Sequence, residues 1–114
     1  MTLQIGDLAP DFTLPSQDGI PLTLSSLKGQ RVVIYFYPKD QTPGCTKEAC
    51  NFRDRWEAFA ANQIKVLGIS KDGSQSHLKF IQKHDLPFTL LTDPEPCLVA
   101  TKFESYGLKK FMGR

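Results

Sequence analysis

The run Arg31-Val32-Val33-Ile34-Tyr35-Phe36-Tyr37, followed at once by Pro38-Lys39-Asp40-Gln41-Thr42-Pro43-Gly44-Cys45, decides how this chain folds. Its first seven residues are almost continuously β-branched or aromatic, the pattern of a strand covered on both faces, as in a parallel sheet. The strand stops at Pro38. From Pro43 to Ala61 the chain reads as a helix, with Ala49, Phe52, Trp56 and Phe59 recurring at steps of three and four to make one apolar face. Thr42 is placed to serve as N-cap, and Pro43 falls at the first helical position, where its missing N–H costs nothing.

Outward from this unit the same alternation continues. Ile64-Lys65-Val66-Leu67-Gly68-Ile69-Ser70 reads as a second strand, and Ser74 to His84 as a second helix with Leu78 and Ile81 inward. Phe88-Thr89-Leu90-Leu91 reads as a third strand, and Cys97 to Tyr106 as a third helix resting on Val99, Phe103 and Tyr106. Upstream, Pro10, Pro15, Gly19, Pro21 and Gly29 punctuate short apolar pieces such as Phe12-Thr13-Leu14, which suits a small hairpin. Strands alternating with helices imply βαβ crossovers, hence an α/β domain around a parallel sheet. At 114 residues the chain fits a single domain, 1–114.

The formal net charge is +2, with 14 basic residues scattered among 12 acidic ones, so no basic face argues for nucleic acid. No apolar run approaches membrane-spanning length. Residues Met1 to Asp7 lack the basic-then-apolar pattern of a signal peptide. The expectation is a cytoplasmic protein with neither nucleic acid nor membrane as partner. Three cysteines, odd in number and widely spaced, do not suit a secreted disulfide framework. In a reducing compartment such residues are catalytic, redox-sensing, metal-binding or simply small apolar fillers.

Cys45 lies in the first turn of a helix that directly follows a buried strand. Unpaired backbone N–H groups and the positive end of the helix dipole favour an anion there, and a thiolate is such an anion. Gly44 lets a small substrate approach the backbone. In an open wound sheet, sites form beyond the carboxyl ends of the strands, which is where this segment falls.

Pro38, Thr42 and Cys45 match the Pro-x-x-x-Thr-x-x-Cys signature, and the chain resembles the peroxiredoxins. The likeness is greatest to the bacterioferritin comigratory protein branch, also called peroxiredoxin Q, which places a second cysteine five residues on, here Cys50. It extends to Gly6-Asp7-x-Ala9-Pro10-Asp11-Phe12, Tyr35-Phe36-Tyr37-Pro38-Lys39, Leu67-Gly68-Ile69-Ser70, Phe88-Thr89-Leu90-Leu91 and Lys110-Phe111-Met112-Gly113. The resemblance implies a thioredoxin-like fold and a thiol-dependent peroxidase acting on hydrogen peroxide and organic hydroperoxides. It implies that Pro38 shields the thiolate, that Thr42 holds the peroxide, and that Cys45 becomes a sulfenic acid. Cys50 would resolve that acid to an intramolecular disulfide, and thioredoxin or a similar dithiol reductant would restore both thiols. No metal, haem or flavin is implied. Residues five apart on an ideal helix lie roughly 8–9 Å apart, on nearly opposite faces. A disulfide wants Cα atoms within about 7 Å. Closing it therefore requires part of this helix to melt. A dithiol oxidoreductase of the thioredoxin type shares the fold, but its Cys-x-x-Cys spacing is absent; a non-catalytic redox-sensing fragment is the remaining alternative.

Other residues receive plainer readings. Cys97 is expected to be a packing residue, and Trp56 and Phe59 core. His77 and His84 share a helix face and are expected at the surface or partly packed, not on a metal; Arg53 and Arg55 are expected on a solvated face. By resemblance, the chain stops short of two further strands and a helix, and with them an arginine that completes the family site. Arg114 aligns with a different basic position. The expected strand order is then third, second, first, which leaves Arg31 to Tyr37 as an open apolar edge. On that reading a family monomer becomes prone to edge-mediated association, and peroxide reduction is weakened.

Overall fold

The computed structural model describes residues 9–95, 97–103 and 110–113. Two short strands come first, β1 (Thr13–Pro15) and β2 (Pro21–Thr23), paired antiparallel with Thr13 opposite Thr23. A 3-10 turn at Leu24–Leu27 leads into β3 (Arg31–Phe36). Then follow α1 (Pro43–Asp54), α2 (Trp56–Ala61), β4 (Ile64–Ser70), α3 (Ser74–His84), β5 (Thr89–Thr92), α4 (Leu98–Lys102) and β6 (Lys110–Gly113). The sheet order is β5-β4-β3-β6. The first three are parallel, with Arg31 against Ile64, Phe36 against Ile69, and Leu67 against Thr89. No helix among the described residues is long and apolar enough to cross a membrane.

The continuous apolar run of β3 is explained by cover on both faces. Val32, Ile34 and Phe36 point to one side and join Phe12, Leu14, Leu24, Leu67, Ile69, Val99 and Phe103. Val33, Tyr35 and Tyr37 point to the other and join Cys45, Ala49, Phe52, Val66, Phe80 and Phe88. The hairpin and α4 thus cover one face, and α1 to α3 the other.

The open edge expected at Arg31–Tyr37 is not found. β6 pairs antiparallel with β3, with Val32 opposite Gly113 and Tyr35 opposite Lys110, so the backbone groups on that side are satisfied by chain already present. The expected single helix from Pro43 to Ala61 is two helices. At Arg55 the backbone N–H reaches back three residues to the Phe52 carbonyl (3.3 Å) and α2 restarts from Arg55. The break aims both aromatics of α2 at the core, Phe59 onto Phe52 (5.7 Å) and Trp56 onto Phe88 (6.4 Å), though each is half-buried rather than fully enclosed. The third strand and third helix are each displaced by one residue at their start, and Cys97 is the N-cap of α4 in the left-handed conformation (φ 58°). The Gly6-Asp7 stretch, Tyr106 and Arg114 lie outside the described residues.

In α3 the inward residues are His77 and Phe80, with Leu78 and Ile81 half-buried. The helix is rotated from its expected phase because His77 finds polar partners inside. It is fully buried, contrary to the expected surface or partly packed histidine.

One close approach tests this packing. A Cβ added at Gly68, in the middle of β4, would meet Leu90 Cδ2 at 2.8 Å and Tyr35 Cζ and Oη at 2.9 Å. Gly68→Ala is expected to destabilise the fold by about 1–3 kcal/mol through overpacking. Urea unfolding measures it; an unchanged midpoint would show that Tyr35 yields without cost.

Candidate active site

The three residues of the signature occupy the connection from β3 to α1. Pro38 is exposed just past the strand end, and Thr42 is the N-cap residue of α1, with Pro43 in the first turn. Thr42 does not cap through its side chain. Its hydroxyl donates instead to the Lys39 carbonyl (3.1 Å), and its carbonyl accepts the Thr46 N–H (2.8 Å). The first backbone donors of a helix have no intrahelical acceptor. With the Thr42 hydroxyl turned away, no capping oxygen of that residue covers the N–H groups of Gly44 and Cys45.

Cys45 is the third residue of α1 and is buried, 3% exposed. It falls on the inward face with Ala49 and Phe52, at steps of four and three, and packs into the cluster around Tyr35 and Tyr37. Cys50 is half-buried on another face of the same intact helix, and both are free thiols. The structure therefore brings Pro38, Thr42 and Cys45 to one helix start and holds Cys45 and Cys50 apart. Tyr35 beside them is pushed well above the ordinary tyrosine value, first by burial and then by Glu48, Asp40 and the two cysteines, so its phenol stays neutral.

Under this loop lies a polar cluster that the sequence reading did not assign. Asp40 is buried, and its carboxylate accepts from Tyr37 Oη (2.5 Å), Ser76 Oγ (2.8 Å) and His77 Nδ1 (2.7 Å). The other ring nitrogen of His77, Nε2, lies 3.1 Å from the Leu91 carbonyl. Both ring nitrogens of His77 are thus engaged, Nδ1 also lying 3.4 Å from Tyr37 Oη. The Asp40 N–H donates to Asp72 Oδ2 (2.6 Å), and Asp72 is fixed by the Ser70 hydroxyl (3.1 Å) and, at its carbonyl, by the Thr92 hydroxyl (2.7 Å). Next to Asp40, Gln41 has φ 61°, a left-handed conformation that costs a side-chain-bearing residue about 1–2 kcal/mol. The available signal was weak: polar residues at 37 and 40 flank the strand end, and Ser76-His77 opens a helix, but nothing local joins them.

The remaining candidates separate. Arg53 binds Asp54 (3.0 Å) and the His84 carbonyl (2.8 Å), and Arg55 is exposed at the helix break, so neither guanidinium is assigned to the loop. Cys97 is half-buried with its thiol 3.5 Å from the Asp93 carbonyl. Burial, with Glu95 and Asp93, pushes that thiol up, away from thiolate character. It lines a cavity of about 340 Å³ with Pro38, Phe36, Ile69 and Lys71. Asp93 is itself buried and caps α4 through the N–H groups of Val99 (3.3 Å) and Ala100 (2.9 Å).

Comparison with known proteins places the chain in a family. The family model described as AhpC/TSA family matches residues 5–112. The chain belongs to the AhpC/TSA family. Among its relatives, Peroxiredoxin Bcp of Bacillus subtilis is 49% identical over 114 residues, which is all of this chain and 72% of that protein. The crystal structure of Peroxidoxin BcpB from Mycobacterium tuberculosis superposes with a TM-score of 0.82 at 39% identity, over 94% of this chain and 75% of that one. The Xanthomonas campestris bacterioferritin comigratory protein gives 0.77 at 34% identity, over 90% and 68%. This AhpC/TSA member thus shares the α/β thioredoxin-like fold of the bacterioferritin comigratory branch.

Asp40 makes this family member's stability depend on acid. Burial pushes its carboxyl up, but the donors His77, Tyr37 and Ser76 outweigh burial and hold it below the ordinary aspartate value. A depressed folded value contributes stability that is fully present above the unfolded value of about pH 3.9 and is lost as pH falls through the folded value. Urea unfolding across that window should show a shallower acid loss in Asp40→Asn than in the parent. Parallel slopes would mean that Asp40 gains nothing from its donors.

Proposed function

We propose that Cys45 is the peroxide-reactive thiol of this chain, a thiol peroxidase by its family, and that Cys50 resolves its oxidised form. The observation that carries this reading is the position of Cys45 at the third residue of α1, with the Thr42 hydroxyl directed to Lys39 rather than over the helix start. Backbone donors aimed at an anion favour the thiolate and then the oxygen that develops charge as the O–O bond breaks.

The chemistry runs in three balanced steps. The Cys45 thiolate attacks the nearer oxygen of ROOH; the S–O bond forms, the O–O bond breaks, and the departing alkoxide leaves as ROH after taking a proton. The Cys50 thiol, deprotonated, attacks the sulfur of the Cys45 sulfenic acid, forming the disulfide and releasing water. An external dithiol of the thioredoxin class then reduces that disulfide and is itself oxidised. The related Xanthomonas campestris protein is described by its alkyl peroxide reduction activity, which supports alkyl hydroperoxides as a substrate class.

Because Cys45 and Cys50 share one helix, roughly 8–9 Å apart if ideal, the second step requires the first turns of α1 to unwind. Dimedone-type labelling after one equivalent of hydrogen peroxide should mark Cys45 in a Cys50→Ser variant. Peptide mapping of the oxidised parent should find Cys45 linked to Cys50. Label mainly on Cys97, or a Cys45–Cys97 link, would move the assignment.

A further inference from the structure

Asp40 stands two residues from Pro38 and two from Thr42, at the centre of the loop that presents Cys45. Its side chain is 2% exposed and that of His77 0%, so the pair is sealed from water. The pair does not belong to one element. Tyr37 comes from just past the end of β3, Ser76 and His77 from the first turn of α3, and the Leu91 carbonyl from β5. A second, backbone tether runs from the Asp40 N–H to Asp72, between β4 and α3. The left-handed Gln41 directly after it shows that the loop is held in a conformation it would not adopt alone, and such conformations persist only where the surroundings over-determine them.

We propose that Asp40 is a positioning residue for peroxide reduction. Clamped by His77, Tyr37 and Ser76, it fixes the 38–42 loop, and so the placement of Pro38 and Thr42 at the helix start that carries Cys45. It touches neither peroxide nor sulfur in this role; it acts through the two residues that flank it. The inference rests on Cys45 being the reactive thiol.

A pair that served only the fold would affect every reaction of Cys45 alike. Alignment of Thr42 and Pro38 matters to a peroxide, which must be oriented in line, and little to an alkylating agent. The test therefore compares two rates for Cys45 in a Cys50→Ser/Cys97→Ser background: single-turnover oxidation by hydrogen peroxide and alkylation by iodoacetamide. Asp40→Asn should slow oxidation by about tenfold or more while changing alkylation by less than about threefold. Ser76→Ala, which removes one donor and leaves the Asp40–His77 pair, should show a smaller loss with the same split, and it decides the question if Asp40→Asn does not fold. Oxidation rates equal to the background, or equal losses in both reactions, would overturn the positioning role while leaving Cys45 as the reactive thiol. A background protein inert to peroxide would instead remove the reading on which the inference stands.

Discussion

A carboxylate withdrawn from water must find compensation within the protein, and the buried Asp40 finds it in three donors drawn from two elements. That constraint orders much of what surrounds it. It turns His77 inward and so sets the rotation of α3 on the sheet. It holds the loop after β3 against α3 and β5, and it leaves Thr42 to begin α1 with its hydroxyl on Lys39. The helix start that carries Cys45 is therefore aimed by contacts made outside α1 itself.

This division has a consequence for dynamics. The loop from Pro38 to Thr42 is tethered to the sheet and α3, whereas Thr46 to Cys50 is held by α1's own hydrogen bonds and by Ala49 against the core. A helix segment secured mainly by its own ladder opens at lower cost than a loop secured by a buried charge network. Unwinding that lets Cys45 meet Cys50 is then bounded by Asp40 on one side and by Phe52 on the other, where aromatic stacking on Tyr35 (4.8 Å) fixes the rest of α1.

The sheet core was legible because burial on two faces leaves an unmistakable apolar run in Arg31–Phe36, and Ile64–Ser70 and Ser74–His84 fall at their expected bounds. The helix start at Pro43, with Cys45 in its first turn, was legible from proline placement and apolar spacing. What escaped was non-local. β6 is a four-residue strand whose pairing with β3 joins segments far apart in sequence, and too few residues carry the alternation to announce it. His77 and Asp40 are 37 residues apart, and each alone looks like an ordinary polar surface residue. Periodicity counts apolar side chains, so a histidine drawn inward by a carboxylate shifts a helix in a way that counting cannot register.

Hydrogen exchange of the wild-type protein, before and after one equivalent of hydrogen peroxide, addresses the account most directly. The amides of Thr46 to Asn51 should lose protection on oxidation, while the Asp40 amide, donated to Asp72, and the His77 amide, donated to Gly73, keep theirs. Loss of protection at Asp40 together with the helix, or an α1 that stays fully protected once oxidised, would contradict a fixed loop beside a helix that opens.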